Sequence, residues 1–155
     1  MKRNQYFGIG AIDRLTEIVE VNQVNRILLV TGQRSYEESG ASKIIEKLLD
    51  SYLTARYSPT ANIPDLNDVE AGIAAYKEVG PDLIVAVGGG SIIDLAKLIR
   101  VCSSHEADPV DVASGSAEVV TRGLPLVAIP TTAGSGSEST KFAVTLIYFC
   151  KNASC

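Results

Sequence analysis

Residues 83–97 limit the possible folds of this chain more than any other stretch. Leu83, Ile84, Val85, Ala86 and Val87 run without polar alternation into Gly88, Gly89 and Gly90, and then into Ser91, Ile92, Ile93, Asp94, Leu95, Ala96 and Lys97. The unbroken apolar run predicts a strand buried on both faces, and the spacing of Ile92, Ile93, Leu95, Ala96, Leu98 and Ile99 predicts a helix after it. A doubly buried strand needs a layer of helices above and below, which points to a mostly parallel α/β sheet.

The three glycines form the corner between these elements. Without a Cβ the backbone can take positive φ and a ligand can approach its N–H groups closely. Ser91 is the predicted N-cap, and Asp94 three residues on completes a capping-box-like pair, weaker than one with Glu or Gln. Free N–H donors and the positive end of a helix then share one small concavity, which suits a phosphate or pyrophosphate. The same elements also occur as plain structure. No Lys-Ser or Lys-Thr pair follows the glycines, so this is not a triphosphatase loop, and Ile93 stands where Gly-x-Gly-x-x-Gly needs its third glycine. The acidic residue that a standard dinucleotide fold carries about 20 positions downstream would be Asp108 or Asp111, beside Pro109 in a predicted loop. That arrangement is therefore not expected.

Composition narrows the function classes. The formal net charge is −4 and Lys and Arg form no cluster, so neither nucleic acid nor an anionic membrane is an expected partner. Cys102, Cys150 and Cys155 make no Cys-x-x-Cys pair, and an odd count without an apolar leader predicts reduced thiols in the cytoplasm. No apolar run approaches the ~20 residues of a membrane span. At 155 residues the chain is one domain by length.

Further elements follow along the chain. Residues 5–10 predict a short strand, and Ile12, Leu15, Ile18 and Val19 a helix. Residues 27–31 are a second buried strand, leading through Gly32 and Arg34 to a helix carrying Ile44, Ile45, Leu48 and Leu49. Residues 51–66 read as a weaker strand and a loop broken by Pro59 and Pro64. Val69, Ile73 and Tyr76 mark a helix stopped by Gly80 and Pro81. Residues 104–124, including His105, read as loop. Residues 126–129 are a third strong strand, opening into a loop with Thr131, Thr132, Ser135 and Ser137 as donors around Gly134 and Gly136. By itself this loop also reads as a flexible turn with solvated hydroxyls. Ligands of such sheets bind beyond the carboxyl ends of the strands, and three loops leave those ends: 32–35, 88–91 and 130–138.

As a set, residues 7–11, 88–97 and 130–138 resemble the iron-containing (group III) alcohol dehydrogenases, in that order and at about the usual spacing, over residues 5 to about 145. The resemblance implies a Rossmann-like fold like the N-terminal domain of dehydroquinate synthase, a relative whose own loop differs after the shared Pro-Thr-Thr. It also implies an NAD(P)-binding domain over residues 1–147, with Gly88, Gly89, Gly90 and Ser91 on the pyrophosphate. Thr131, Thr132 and Ser135 would line the cofactor groove, and Asp94 would lie near the nicotinamide half. A plain pairing of Asp94 with Lys97 is the alternative. Many NAD-linked members carry an acidic residue where this chain has Gly32, with Arg34 two positions on. Lack of a carboxylate removes repulsion against a 2′-phosphate, and the guanidinium could pair with it, so NADP(H) is favoured over NAD(H). The bland alternative is an Arg34 that points into water. A smaller departure is Ile63 before Pro64, with Asn62 one residue earlier, where relatives often have Asn-Pro.

The resemblance also implies a second, all-helical domain supplying one Asp and three His to Fe²⁺ or Zn²⁺. One histidine, His105, cannot make that site, so no metal ligand and no catalytic residue is assigned. The chain is expected to lack that domain and to bind a nucleotide without turning over alcohol. Residues 143–150 are eight β-prone residues without a charge, and 148–155 an unpatterned tail. An early gene end, a shifted frame near 145 or a deliberate domain would each account for them. The expected function is the cofactor domain of a metal-dependent alcohol dehydrogenase or aldehyde reductase acting by hydride transfer, with a small alcohol or aldehyde as substrate. A lyase or polyol-phosphate dehydrogenase of the dehydroquinate synthase superfamily, or a non-catalytic nucleotide-binding module, are the alternatives. Members of the family often dimerise through their N-terminal strand, so the resemblance implies a homodimer through residues 4–10.

Overall fold

The computed structural model describes residues 4–61, 63–105, 108–117, 123–140 and 143–145. Four parallel strands, β1 (Arg26–Thr31), β2 (Leu53–Tyr57), β3 (Leu83–Gly88) and β4 (Leu126–Pro130), form one sheet in the order β2-β1-β3-β4. The helices are α1 (Arg14–Val21), α2 (Ser35–Glu38), α3 (Ala41–Leu49), α4 (Leu66–Val79), α5 (Gly90–His105) and α6 (Pro109–Ser114).

The period of two along a strand explains why β1 and β3 carry no polar alternation. Ile27, Leu29, Leu83, Val85 and Val87 face Leu15, Val19, Tyr36, Ile45 and Leu49 of α1, α2 and α3. Their neighbours Leu28, Val30, Ile84 and Ala86 face Val69 of α4 and Ile92, Ile93, Leu95, Ala96 and Ile99 of α5. Every residue of β3 is buried. Each such side chain stabilises the fold by roughly 1.5–3 kcal/mol before entropy is counted, so a polar residue at any of these positions would break one of the two layers. The doubly wound α/β architecture expected for this chain is the one observed.

Local chemistry sets the boundaries. Asp65 caps α4 by accepting from the N–H groups of Asn67 and Asp68, while Asp68 accepts in return from the Asp65 N–H, which satisfies donors the helix cannot use itself. Asp68 also accepts from the backbone and hydroxyl of Thr60, so one buried carboxylate ties the loop after β2 to the helix that follows. The Tyr57 hydroxyl donates to the Asp68 carbonyl, and burial, reinforced by Asp68 and then Asp65, pushes that phenol up to about 12. Gly80 ends α4 at φ 56°, a conformation that favours glycine.

The structure corrects three expectations of secondary structure. Residues 5–10 form no strand: the Ala11 N–H donates to the Gly8 carbonyl, and Gly8 and Gly10 at φ 108° and 80° turn the chain into a 3₁₀ helix, Ala11–Asp13. Residues 104–124 are not all loop. His105 is the last residue of α5, and Asp108 caps α6 by accepting from the Val110 N–H, with Pro109 in the first turn. The cap accounts for Asp108 in place of any ribose contact. Residues 143–145, the described part of the predicted C-terminal strand, are not in a strand, and residues 146–155 lie outside the described residues.

Candidate functional site

Chain travel across the sheet reverses between β1 and β3. The chain passes from β1 to β2 on one side, then returns to place β3 and β4 on the other. Loops leaving the carboxyl ends of such a strand pair diverge, and the crevice between them is where parallel sheets hold ligands, as in other sheets of the 2-1-3-4 order. Here those loops begin at Gly32 and Gly89. The third joins them because Gly88 pairs in register with Pro130 and the Thr131 N–H donates to the Gly88 carbonyl at 3.0 Å.

Absence of Cβ, rather than positive φ, is what the glycine corner requires. Glycines 88, 89 and 90 are not among the positive-φ residues, which corrects one reason given for them above. A Cβ on Gly88 would lie 2.8 Å from the Ile92 Cβ, and one on Gly90 2.7 Å from the Ser135 Cβ and 3.0 Å from the Ser137 Oγ. On Gly89 it would meet only Thr132, 3.3 Å from Oγ1. The corner is a cradle walled by the loop after β4, and a single methyl would fill it. Gly32 is buried, and a Cβ there would overlap the Ser35 hydroxyl and come within 3.7 Å of the Ile92 Cγ1. Ile92 is thus the common floor of the first two loops.

Ser91 is not the N-cap. Helix α5 starts one residue earlier, at Gly90, and the N–H groups of Ile92 and Ile93 donate to the Gly89 carbonyl at 3.1 and 3.2 Å. Ser91 therefore stands in the first turn, beside the cradle. Asp94 makes no capping box; its Oδ1 accepts from the Lys97 ammonium at 2.9 Å and its Oδ2 from the Val144 N–H at 3.2 Å. The pair is largely buried, with 10% of the Asp94 side chain and 12% of the Lys97 side chain exposed.

Beside the cradle opens a cavity of about 240 Å³, lined by Ile63, Gly90, Ser91, Asp94, Ser135, Ser137, Val144 and Thr145. Of the residues assigned from sequence, Gly90, Ser91, Asp94 and Ser135 line it. Gly88, Gly89, Thr131 and Thr132 form the adjoining corner, and Gly32 lies one strand away. Arg34 is detached from them: its side chain is 87% exposed and its nearest charged partner is Glu38 at 3.6 Å. Ser137 is buried against Gly90; its hydroxyl was visible in the loop sequence, but not its burial. Ile63, Val144 and Thr145 carry no motif, and the Thr145 hydroxyl donates to the Pro64 carbonyl at 3.1 Å, joining these two segments.

The residues present fit a phosphate-bearing group. Gly88, Gly89 and Gly90 bring no side chains of their own to the corner, which sits at the amino end of a 16-residue helix, with Ile92, Ser135 and Ser137 packed closely on Gly88 and Gly90. A metal is a different matter: among the described residues no three His, Cys, Asp or Glu side chains come together. No helix among them is long and apolar enough to cross a membrane.

Fold and site together define a doubly wound α/β domain with a glycine corner at its switch point. Residues 3–147 match the pattern of the iron-containing alcohol dehydrogenases, and the chain belongs to that family. It is 39% identical over 140 residues to choline dehydrogenase of Bacillus subtilis, covering 88% of this chain and 35% of that one. Among solved structures, an alcohol dehydrogenase from an archaeal halo-thermophilic Red Sea brine pool source superimposes with a TM-score of 0.81 at 26% identity, over 94% of this chain and 40% of the other. Sulfoacetaldehyde reductase from Bifidobacterium kashiwanohense, in complex with NAD+, shares the fold at a TM-score of 0.77 and 24% identity, over 87% and 36% of the two chains. The chain spans little more than a third of the length of these relatives.

Proposed function

We propose that this chain is the cofactor domain, residues 1–147, of a metal-dependent NAD(P) alcohol dehydrogenase or aldehyde reductase. The observation that carries the reading is the glycine corner: three residues without side chains lie between β3 and the first turn of α5, at the switch point of the sheet. Gly88, Gly89, Gly90 and Ser91 would hold the pyrophosphate, because an anion there gains both N–H donors and the positive helix end. Thr131, Thr132 and Ser135 would wall the groove, with Thr132 beside Gly89 and Ser135 beside Gly90. Asp94 serves by holding Lys97 and the backbone of Val144, so the cavity wall stays in place.

A bound nicotinamide would supply the hydride exchange with an alcohol or aldehyde carbon. The described residues contribute binding, orientation and exclusion of water, and no step is routed through a metal. For the dinucleotide we favour NADP(H): Gly32 brings no carboxylate beside the ribose, and Arg56 on the neighbouring strand β2 is bonded to Thr31, the residue before it.

Titration with the reduced cofactors, read by nicotinamide fluorescence, tests the reading. Saturable binding is expected, tighter for NADPH than for NADH, without alcohol oxidation by these 155 residues when Fe²⁺ or Zn²⁺ is added. No binding would overturn the cofactor assignment, and tighter NADH binding would overturn the NADP preference.

A further inference from the structure

The NADP reading needs a cation placed to meet the one group that distinguishes the two dinucleotides. Arg34 is poorly suited, because its side chain is exposed and among the described residues its charged partner is Glu38 at 3.6 Å. Arg56 on the edge strand β2 is held quite differently. It pairs in register with Leu29 of β1, and its guanidinium carbon lies 4.5 Å from the centroid of the buried Tyr36 ring. Its Nε donates to the Thr31 Oγ1 at 2.8 Å, and its Nη1 to the Glu37 carboxylate at 3.1 Å. Thr31 is fully buried and directly precedes Gly32.

A surface arginine ordinarily loses rotamer freedom when it grips a ligand. Here ring, hydroxyl and carboxylate have already fixed the plane. The side chain still keeps 36% of its surface, and its Nη2 makes no hydrogen bond to a described residue, so donors remain on the open side. Position matters as well. The strand order sets the glycine corner on β3, Gly32 on β1 and Arg56 on β2. At about 4.8 Å per strand, a nucleotide lying across the strand ends with its pyrophosphate on β3 carries its ribose over β1, and a 2′ substituent points toward β2.

We infer that Arg56, held in place by Thr31 and Tyr36, is the residue that recognises the 2′-phosphate of NADP(H), with Glu37 as an internal competitor for the same guanidinium. The inference rests on the reading that the glycine corner holds the pyrophosphate. A planar guanidinium can take a phosphate bidentately, and a phosphate dianion outcompetes a single exposed carboxylate for it.

The test is the affinity of NADPH, NADH and adenosine 2′,5′-bisphosphate for three variants, with thermal melting as the folding control. Arg56→Gln should weaken NADPH and the bisphosphate about tenfold or more, the loss expected for a charge-assisted contact, and leave NADH within about twofold. Arg56→Lys, which keeps the charge but not the fork, should fall between. Glu37→Gln should strengthen NADPH by a few-fold, because the competitor is gone. Equal weakening of NADPH and NADH by Arg56→Gln would mark a merely structural arginine and overturn the inference, as would unchanged NADPH affinity. Gly89→Ala separates the two claims. If it spares binding while Arg56→Gln still weakens the bisphosphate, the pyrophosphate reading fails and Arg56 stands. If it weakens both dinucleotides while Arg56→Gln changes nothing, the corner stands and Arg56 falls.

Discussion

A methyl group added at each of two adjacent glycines should separate folding from binding. At Gly88 the new Cβ would sit 2.8 Å from the Ile92 Cβ and 2.9 Å from its Cγ1. A branch point cannot swing away as a side-chain tip does, and Ile92 is buried, so the first turn of α5 must move. Overpacking of that kind costs about 1–3 kcal/mol. At Gly89 the nearest atom is the Thr132 Oγ1 at 3.3 Å, on an exposed residue that can give way, and φ is not positive. Gly89→Ala should therefore alter stability by less than about 0.5 kcal/mol, yet put a methyl into the cradle where the diphosphate must approach. Loss of even one charge-assisted hydrogen bond, about 1.5–3 kcal/mol, weakens binding roughly tenfold to a hundredfold. Urea denaturation and NADPH fluorescence titration on the same samples give both quantities. Native-like NADPH affinity in a normally folded Gly89→Ala would refute the reasoning, and so would a Gly88→Ala as stable as the parent.

Other predictions concern the scaffold. Gly72→Ala in α4 would overlap the Ile99 side chain and come within 3.0 Å of the Tyr57 ring; the cost of about 1–3 kcal/mol outweighs the roughly 1 kcal/mol that alanine gains in a helix. A double-mutant cycle with Ile99→Ala should show coupling, and additive effects would contradict the packing. Asp82 accepts from the N–H groups of Asn25 and Arg26 at 3.0 and 2.9 Å, and these bonds, with Arg26 nearby, hold its carboxyl below its ordinary 3.8. Its contribution is present above that ordinary value and is lost as pH falls through the lowered one. Denaturation midpoints should accordingly show Asp82→Ala less stable at pH 7, with the gap to the parent closing in acid; a constant gap would be the wrong result. The buried Tyr36 hydroxyl has no partner among the described residues, and burial, then Glu46, pushes it up to about 12. Tyr36→Phe should be neutral or stabilising in a melting experiment, whereas a loss above about 1 kcal/mol would mean that the hydroxyl is bonded.

What could be read from the sequence was whatever a local pattern enforces. The runs at 27–31 and 83–87 gave β1 and β3 because burial on both faces removes polar alternation, the apolar run at 126–129 gave the half-buried edge strand β4, and Gly80 with Pro81 stopped α4 as its φ demands. Ser91 misled because Ser and Asp three apart imitate a cap, whereas the Gly89 carbonyl starts the helix and the Asp94 oxygens are taken by Lys97 and Val144. Helix α6 had a signal that was passed over, since Asp followed by Pro is a helix start, but its six residues lack an apolar stripe. Arg56 could not have been found this way. Its partners Thr31, Tyr36 and Glu37 lie about 20 residues away and meet it only through strand pairing and the turn into α2. The cavity wall at Ile63, Val144 and Thr145 was hidden for the same reason, because the residues it joins are some 80 apart in sequence.

The measurement that bears most directly on the central claim is a residue-resolved amide titration by NMR with NADPH. If the glycine corner captures the diphosphate, the N–H signals of Gly89, Gly90 and Ser91 should move together and saturate at the affinity seen by fluorescence, while those of Asn25 and Arg26 at the opposite end of the sheet stay still. Saturable fluorescence with the three corner signals unmoved would contradict it.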